Sequence, residues 1–323
     1  GEAQIAALSL YLKAKGKSPD VTIPQLNIVS ADAVLINGDR KEEVMSVTQS
    51  ELEKEILEQI WTSFDNIREW GSLVRIEDQI DELLDEYRET FESKGQAQFT
   101  TDGDLTTQST FISGNEEETW DELKNRLMRN IRNLAEEALE QDDLIEEMFA
   151  GEVSKTVELL DLLIHDYDVV VTNPPYLGSG KMNSQLKEFV KDNYTGKSDL
   201  YTAFIERCSD FTNSQGYVSM ITMETFMFLY SYRGLRSELL NKEQFTEFLH
   251  VRNRDEGYLN TAFVFRSKED YVPRTRFIRL INESEKEKRL GTIIRDLRGG
   301  TKNNEVYEID QDSFLNIGRQ PFL

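Results

Sequence analysis

Four residues in the stretch DYDVVVTNPPYLGSG carry the chemistry: Asn173, Pro174, Pro175 and Tyr176. An amino nitrogen bonded to an aromatic ring or a carbonyl is a poor nucleophile, because its lone pair is delocalised into the neighbouring π system. The side-chain carbonyl of Asn173 and the backbone carbonyl of Pro174 are two acceptors that can grip one NH2 group. They would hold its lone pair toward an electrophilic methyl carbon, which is catalysis by positioning and electrostatics. Consecutive prolines fix the backbone dihedrals so that the two acceptors converge. Tyr176 adds a flat face on which a base extruded from a duplex can stack. Proline also ends strands by lacking an N–H donor, so a strand that stops at Pro174 needs no further cause. The asparagine and the tyrosine are what that simpler explanation leaves over.

The elements around the loop must present it. Val169, Val170 and Val171 read as a buried strand, flanked by helices at Val153 to Leu163 and Met182 to Asp192. A third helix, Leu200 to Phe211, precedes the strand GYVSMIT. Then come the helix YRGLRSELL and the strands FTEFLHV and LNTAFVFR. Near the start, Ala3 to Lys15 has helical period with Ile5, Leu8 and Leu12 on one face, and a short β-type run ends at Asp32. Strands alternating with helices imply an open α/β sheet with right-handed crossovers. In such sheets the ligand crevice lies outside the carboxyl ends of the strands, where both Asp32 and Asn173 fall.

Residues 41–150 differ in character. They hold 30 acidic and 10 basic residues, against 30 and 27 in the remainder, so one segment carries nearly all of the net charge of −23. Ser50 and Glu53 form a capping box before a helix whose stripe is Ile56, Ile60, Phe64 and Ile67. Ile76, Ile80, Leu83 and Tyr87 mark a second helix, and Leu123, Leu127, Ile131, Leu134 and Ala138 a third. The polar run between these last two, SKGQAQFTTDGDLTTQSTFISGNEEE, reads as a long loop. Two readings of the whole segment stay open: a solvated helical insertion, or an interaction module that docks a partner or regulates DNA access by repulsion.

Composition excludes several classes. With 38 % hydrophobic residues, 12 Tyr and 17 Phe, the chain can fill a core. It has no run of about 18 apolar residues and no signal-peptide pattern, so it reads as soluble and cytoplasmic, with no membrane partner. A lone cysteine, Cys208, rules out an internal disulfide and reads as a small core residue of an amphipathic helix. Two histidines without a cysteine partner argue against zinc, and His165 reads as structural or superficial. A charge of −23 would argue against nucleic acid, but its concentration in one segment removes that objection.

SDLYTAFIERCSDF, GYVSMIT and RGLRSELL resemble the segments that follow this loop in the N6-adenine DNA methyltransferases, and NIVSADAVL resembles the segment that precedes it. The run from Asn173 to Cys208, with NTAFVFR and TRFIRLINESEKEKRL, is similar to the adenine-specific methyltransferases of bacterial BREX phage-exclusion systems, the PglX family. The resemblance covers Ala3 to about Leu35 and Val153 to the end, and the acidic segment falls where such enzymes carry a long insertion. It implies an α/β fold: a partial Rossmann-like class I methyltransferase sheet with an inserted acidic α-helical subdomain. On that basis the chain divides into 1–40 and 151–270 as methyltransferase core, 41–150 as the insertion, and 271–323 as an extension toward a target-recognition region.

The resemblance further implies S-adenosylmethionine as cofactor and double-stranded DNA with a flipped adenine as substrate. If the insertion is an interaction module rather than a solvated one, other phage-defence components would dock through it. Asn173, Pro174, Pro175 and Tyr176 would form the catalytic loop. Asp32 and Ala33 would approach the adenine ring of the cofactor, and Phe204 would pack against it. Asp32 as a strand-end turn former, and Phe204 as a core residue beside Leu200 and Cys208, remain alternatives. In this family the glycine-rich cofactor loop and the ribose-binding acid precede the position of Ala3, so the expectation is an inactive piece of a longer enzyme. HVRNRDEGYLNTAF is short where the family often places a second stacking aromatic, and Tyr258 reads as a plain loop tyrosine. A combined restriction and modification enzyme, or a methylase of protein glutamine, would use the same tetrapeptide. The continuation through TRFIRLINESEKEKRL argues against the latter.

Overall fold

The computed structural model describes residues 2–22, 28, 41–48, 51–65, 67–79, 82–83, 126–127, 129–133, 136, 144–252, 259–268, 274–318 and 320–322. The chain forms two units, Gly1–His165 and Asp166–Leu323.

The first unit is helical. Helix α1 (Glu2–Lys17) bears the expected stripe, but Ile5, Leu8 and Leu12 are exposed. Helices α2 (Lys41–Met45), α3 (Glu51–Asp65) and α4 (Ile67–Trp70) follow, and α5 (Leu144–Leu163) starts well before Val153, where the sequence pattern placed it. Ile56, Ile60 and Ile67 are buried as their spacing predicts, together with Leu127, Ile131, Val153 and Val157. The described parts of the other two expected helices, residues 76–79 and 82–83 and residues 126–127 and 129–133, are helical. Ser50, Phe111 and the rest of the expected polar loop lie outside the described residues. Glu53 is fully buried and its carboxylate pairs with Arg126 at 2.5 Å; its expected capping-box partner Ser50 is among the residues not described. A carboxylate without water needs such a partner.

The second unit is built on one six-stranded sheet in the order β1-β2-β4-β3-β5-β6. The strands are β1 (Tyr167–Thr172), β2 (Thr212–Met223), β3 (Glu243–Arg252), β4 (Leu259–Ser267), β5 (Thr275–Leu280) and β6 (Val306–Ile309). Between them run α6 (Ser184–Asn193), α7 (Leu200–Asp210), α8 (Arg233–Lys242) and α9 (Lys286–Arg298). β1 and β2 are parallel, as are β3 and β5, whereas β4 is antiparallel to both β2 and β3 and β6 to β5. The expected alternating sheet is therefore mixed. β4 folds back from β3 and inserts between β3 and β2, so β1, β2, β3 and β5 point their carboxyl ends to the same edge. β5, α9 and β6 have no counterpart in the sequence reading.

Alternation along each strand fills one face with aromatic rings. Phe245, Phe248, Phe263 and Phe265 are buried there with Phe226 and Phe322, and the Phe248 and Phe277 rings stack at 4.8 Å. Each fully buried phenylalanine contributes roughly 1.5–3 kcal/mol. On the other face α9 covers β3 and β5, where Ile293 packs with Ile278 and Leu280. At the β1 end no described residue of the second unit covers that face. The expectation of a buried valine strand is corrected here: Val169 and Val171 are 59 % and 72 % exposed, and only Val170 packs on the core. Successive side chains alternate between the faces of the sheet, so two of the three valines of β1 point away from the aromatic core. Close approach of β1 to β2 needs Gly216, since a Cβ there would meet the Tyr167 carbonyl at 2.8 Å.

Candidate active site

β1 ends at Thr172, and the four predicted residues occupy the carboxyl edge of the sheet. Asn173 and Pro175 are exposed, Pro174 is buried and Tyr176 is half-buried. The Tyr176 hydroxyl donates toward the Asn173 Oδ1 and toward the Ile221 carbonyl of β2, each at 3.2 Å. Its ring meets Tyr201 edge-on, with centroids 5.8 Å apart and planes at 90°. Tyr201 in turn shares a hydrogen bond of 2.8 Å with Thr225, and burial pushes its phenol well above the usual tyrosine range. Among the described residues the Pro174 carbonyl accepts no hydrogen bond, so it remains a free acceptor beside the Asn173 carboxamide.

The loop is held from behind by the start of α7. The Leu177 amide donates to Asp199 Oδ1 at 3.0 Å, the Leu200 amide to the Leu177 carbonyl at 3.0 Å, and the Ser179 amide to the Ser198 carbonyl at 3.0 Å. Asp199 is also the N-cap of α7, accepting from the Tyr201 amide. Burial raises its carboxyl pKa, and backbone donors from Tyr201, Leu177 and Leu200 oppose that rise. Such capping satisfies amides that a helix start otherwise leaves without partners.

One turn further back, the buried carboxylate of Glu206 accepts the amides of Thr195 at 3.0 Å and Gly196 at 2.5 Å. The Thr202 hydroxyl donates to the Gly196 carbonyl. No side chain fits at Gly196, where a Cβ would lie 2.7 Å from the Thr202 backbone. Glu206 thus folds the turn YTGKSD onto its own helix. On the next strands of the same edge, His250 of β3 and Glu224, just past β2, share a hydrogen bond and are both largely buried. This pair ties the two strands that flank β4.

The structure brings Asn173, Pro174, Pro175 and Tyr176 together and sets Phe204 on α7. Phe204 is half-buried against the aromatic core, in the same cluster as Cys208. Asp32, Ala33 and Tyr258 lie outside the described residues. Sequence reasoning missed Asp199, Glu206 and the Glu224–His250 pair. Asp199 was legible as an N-cap before LYTAF. Glu206 and Glu224 had no local signal, because their partners come from other segments. Burial lifts the Cys208 thiol to about 12, in keeping with its expected core position. No cluster of metal-ligating side chains occurs among the described residues.

Residues 1–256 match the model of the Eco57I restriction-modification methylase family, and the chain belongs to that family. It is 31 % identical over 162 residues to the adenine-specific methyltransferase BrxX of Escherichia coli O9:H4, covering 48 % of this chain and 13 % of that protein. It is 29 % identical over 208 residues to the adenine-specific methyltransferase PglX of Lacticaseibacillus casei, covering 62 % of this chain and 17 % of that protein. The chain thus spans less than a fifth of the length of the curated relatives it matches. Among solved structures, the methyltransferase subunit of a type I restriction-modification system from Streptococcus thermophilus overlaps 51 % of this chain and 44 % of its own, at 11 % identity and a TM-score of 0.38.

Proposed function

We propose that this chain is the catalytic part of an S-adenosylmethionine-dependent enzyme that methylates the N6 amino group of adenine in DNA, in a BREX-type phage-defence setting. The observation that carries the proposal is the pairing, at the carboxyl end of β1, of an exposed Asn173 carboxamide with a Pro174 carbonyl that accepts no hydrogen bond among the described residues. Membership of a restriction-modification methylase family and similarity to two adenine-specific methyltransferases support it.

Bound S-adenosylmethionine would supply an electrophilic methyl group. The residues of this chain do the rest. Asn173 Oδ1 and the Pro174 carbonyl accept the two N6 hydrogens, drawing the nitrogen lone pair out of the purine π system and along the line of attack. Tyr176 would stack the extruded base, and Phe204 would pack against the adenine of the cofactor. Asp32 and Ala33, which the resemblance assigns to the same cofactor ring, would contact it. As the amine takes the methyl group and the methyl–sulfur bond breaks, releasing the cofactor as its neutral thioether, positive charge would grow on the nitrogen; the two carbonyl dipoles would stabilise it until the proton passes to solvent.

Asn173→Ala, introduced into the intact gene, should lower adenine methylation by about 100-fold or more, the range for removal of one preorganised catalytic dipole. Folding, read by circular dichroism, should be unchanged. Methylation mapped by long-read sequencing at the wild-type level would overturn the assignment. The family match also favours a second reading, in which the same methylase core is joined to a nuclease. DNA cleavage by the protein purified from the intact gene would decide for it.

A further inference from the structure

Tyr176 does more than offer a ring. Its hydroxyl lies 3.2 Å from the Asn173 Oδ1 and 3.2 Å from the Ile221 carbonyl oxygen. A phenol has one proton to donate, and neither of these acceptors has one to give back through its oxygen. Both distances exceed the roughly 2.7–2.8 Å of an unshared hydroxyl bond, as one proton divided between two acceptors requires. The ring itself is held by its edge contact with Tyr201 and by packing against the core, so the hydroxyl sits at a fixed place.

We propose that Tyr176 is a positioning residue for the reaction, its hydroxyl holding the Asn173 carboxamide by the oxygen. This rests on the reading of Asn173 as the acceptor for the N6 amine. A carboxamide has two ends of equal size and opposite polarity. Presented by its nitrogen, Asn173 would face the amine donor to donor, and the lone pair would stay delocalised. A hydroxyl proton aimed at Oδ1 favours the carbonyl end, and Oδ1 keeps a second lone pair for the N6 hydrogen. The Ile221 carbonyl gives the same proton an alternative acceptor. The shared proton thus stays between Oδ1 and β2 when the amine takes the second lone pair of Oδ1, and the carboxamide is held while it accepts.

The test separates ring from hydroxyl. Tyr176→Phe and Tyr176→Trp both keep a stacking face and remove the phenol. In protein purified from the intact gene, both should lower kcat by about tenfold, the worth of one neutral hydrogen bond. KM for a duplex bearing the mapped site should stay within about twofold. Fluorescence of 2-aminopurine at the target position, which reports base extrusion, should be unchanged. Wild-type kcat in either variant overturns the proposal, as does a loss confined to KM or to thermal stability. Asn173→Ala is run alongside. If it retains methylation, the functional reading itself fails; if it is inactive while Tyr176→Phe is fully active, only the positioning role fails.

Discussion

The carboxylate of Asp199 accepts the amide of Leu177 at 3.0 Å, so the first residue after the Asn-Pro-Pro-Tyr loop is fastened to the cap of the next helix. The prolines stiffen the loop from within, and Asp199 stiffens it from outside. Rigid support of this kind is what keeps two acceptors converging on one amine.

Asp199→Ala should therefore cost about 1–2 kcal/mol of stability, the usual loss of a helix cap. It should also lower methylation more than a cap elsewhere in the unit would. Asp199→Asn keeps the acceptor oxygen and should stay close to wild type in both. Urea unfolding with parallel methylation assays reads the pair. Equal behaviour of the two variants would show that the acceptor oxygen is not what holds the loop.

Glu243 gives the pH dependence. It is buried at the start of β3; the Ser209 hydroxyl donates to one carboxylate oxygen, while the other has no partner among the described residues. Burial raises its pKa above 4.5, and the Ser209 bond only partly offsets that. A carboxyl whose pKa is higher folded than unfolded holds its proton more tightly when folded. Above the raised pKa the ionised form weakens the fold, and as pH falls through that value toward 4.5 the penalty disappears. Glu243→Gln should thus unfold at higher urea than wild type at pH 8, with the gap narrowing as pH falls toward 4.5. A gap that is constant with pH would rule out ionisation as the cause.

Phe204→Ala tests the cofactor side. If Phe204 packs the cofactor ring, S-adenosylmethionine affinity measured by calorimetry should fall about tenfold, a loss of roughly 1.4 kcal/mol. Because the side chain is only half-buried, the melting temperature should fall modestly. Unchanged affinity with a lower melting temperature would leave Phe204 as a core residue and nothing more.

Much of this was legible in the sequence. The Leu200 to Phe211 helix and the strands GYVSMIT, FTEFLHV and LNTAFVFR sit where periodicity places them, to within a few residues. The four loop residues share one edge because strand ends are fixed by proline and by alternation. The position of β4 was hidden, since alternation gives a strand its faces and not its neighbours. Glu206 was invisible for a related reason. Its partners, the amides of Thr195 and Gly196, are backbone groups, and backbone groups leave no trace in residue type. The exposure of Val169 and Val171 was misread because three consecutive valines imply cover on both faces, and the described residues cover one.

The insertion of β4 between β2 and β3 sets an order of assembly. A chain leaving the ribosome completes β1, β2 and β3 before it completes β4, yet in the sheet's hydrogen-bonded ladder β2 and β3 are joined only through β4 among the described residues. Until Ser267 has emerged, the rings of Phe245 and Phe248 wait without Phe263 and Phe265, and Asn173 sits at the end of a two-stranded ribbon. The last central strand synthesised closes the sheet, so a nascent chain stalled before it should be the species that chaperones hold and proteases cut.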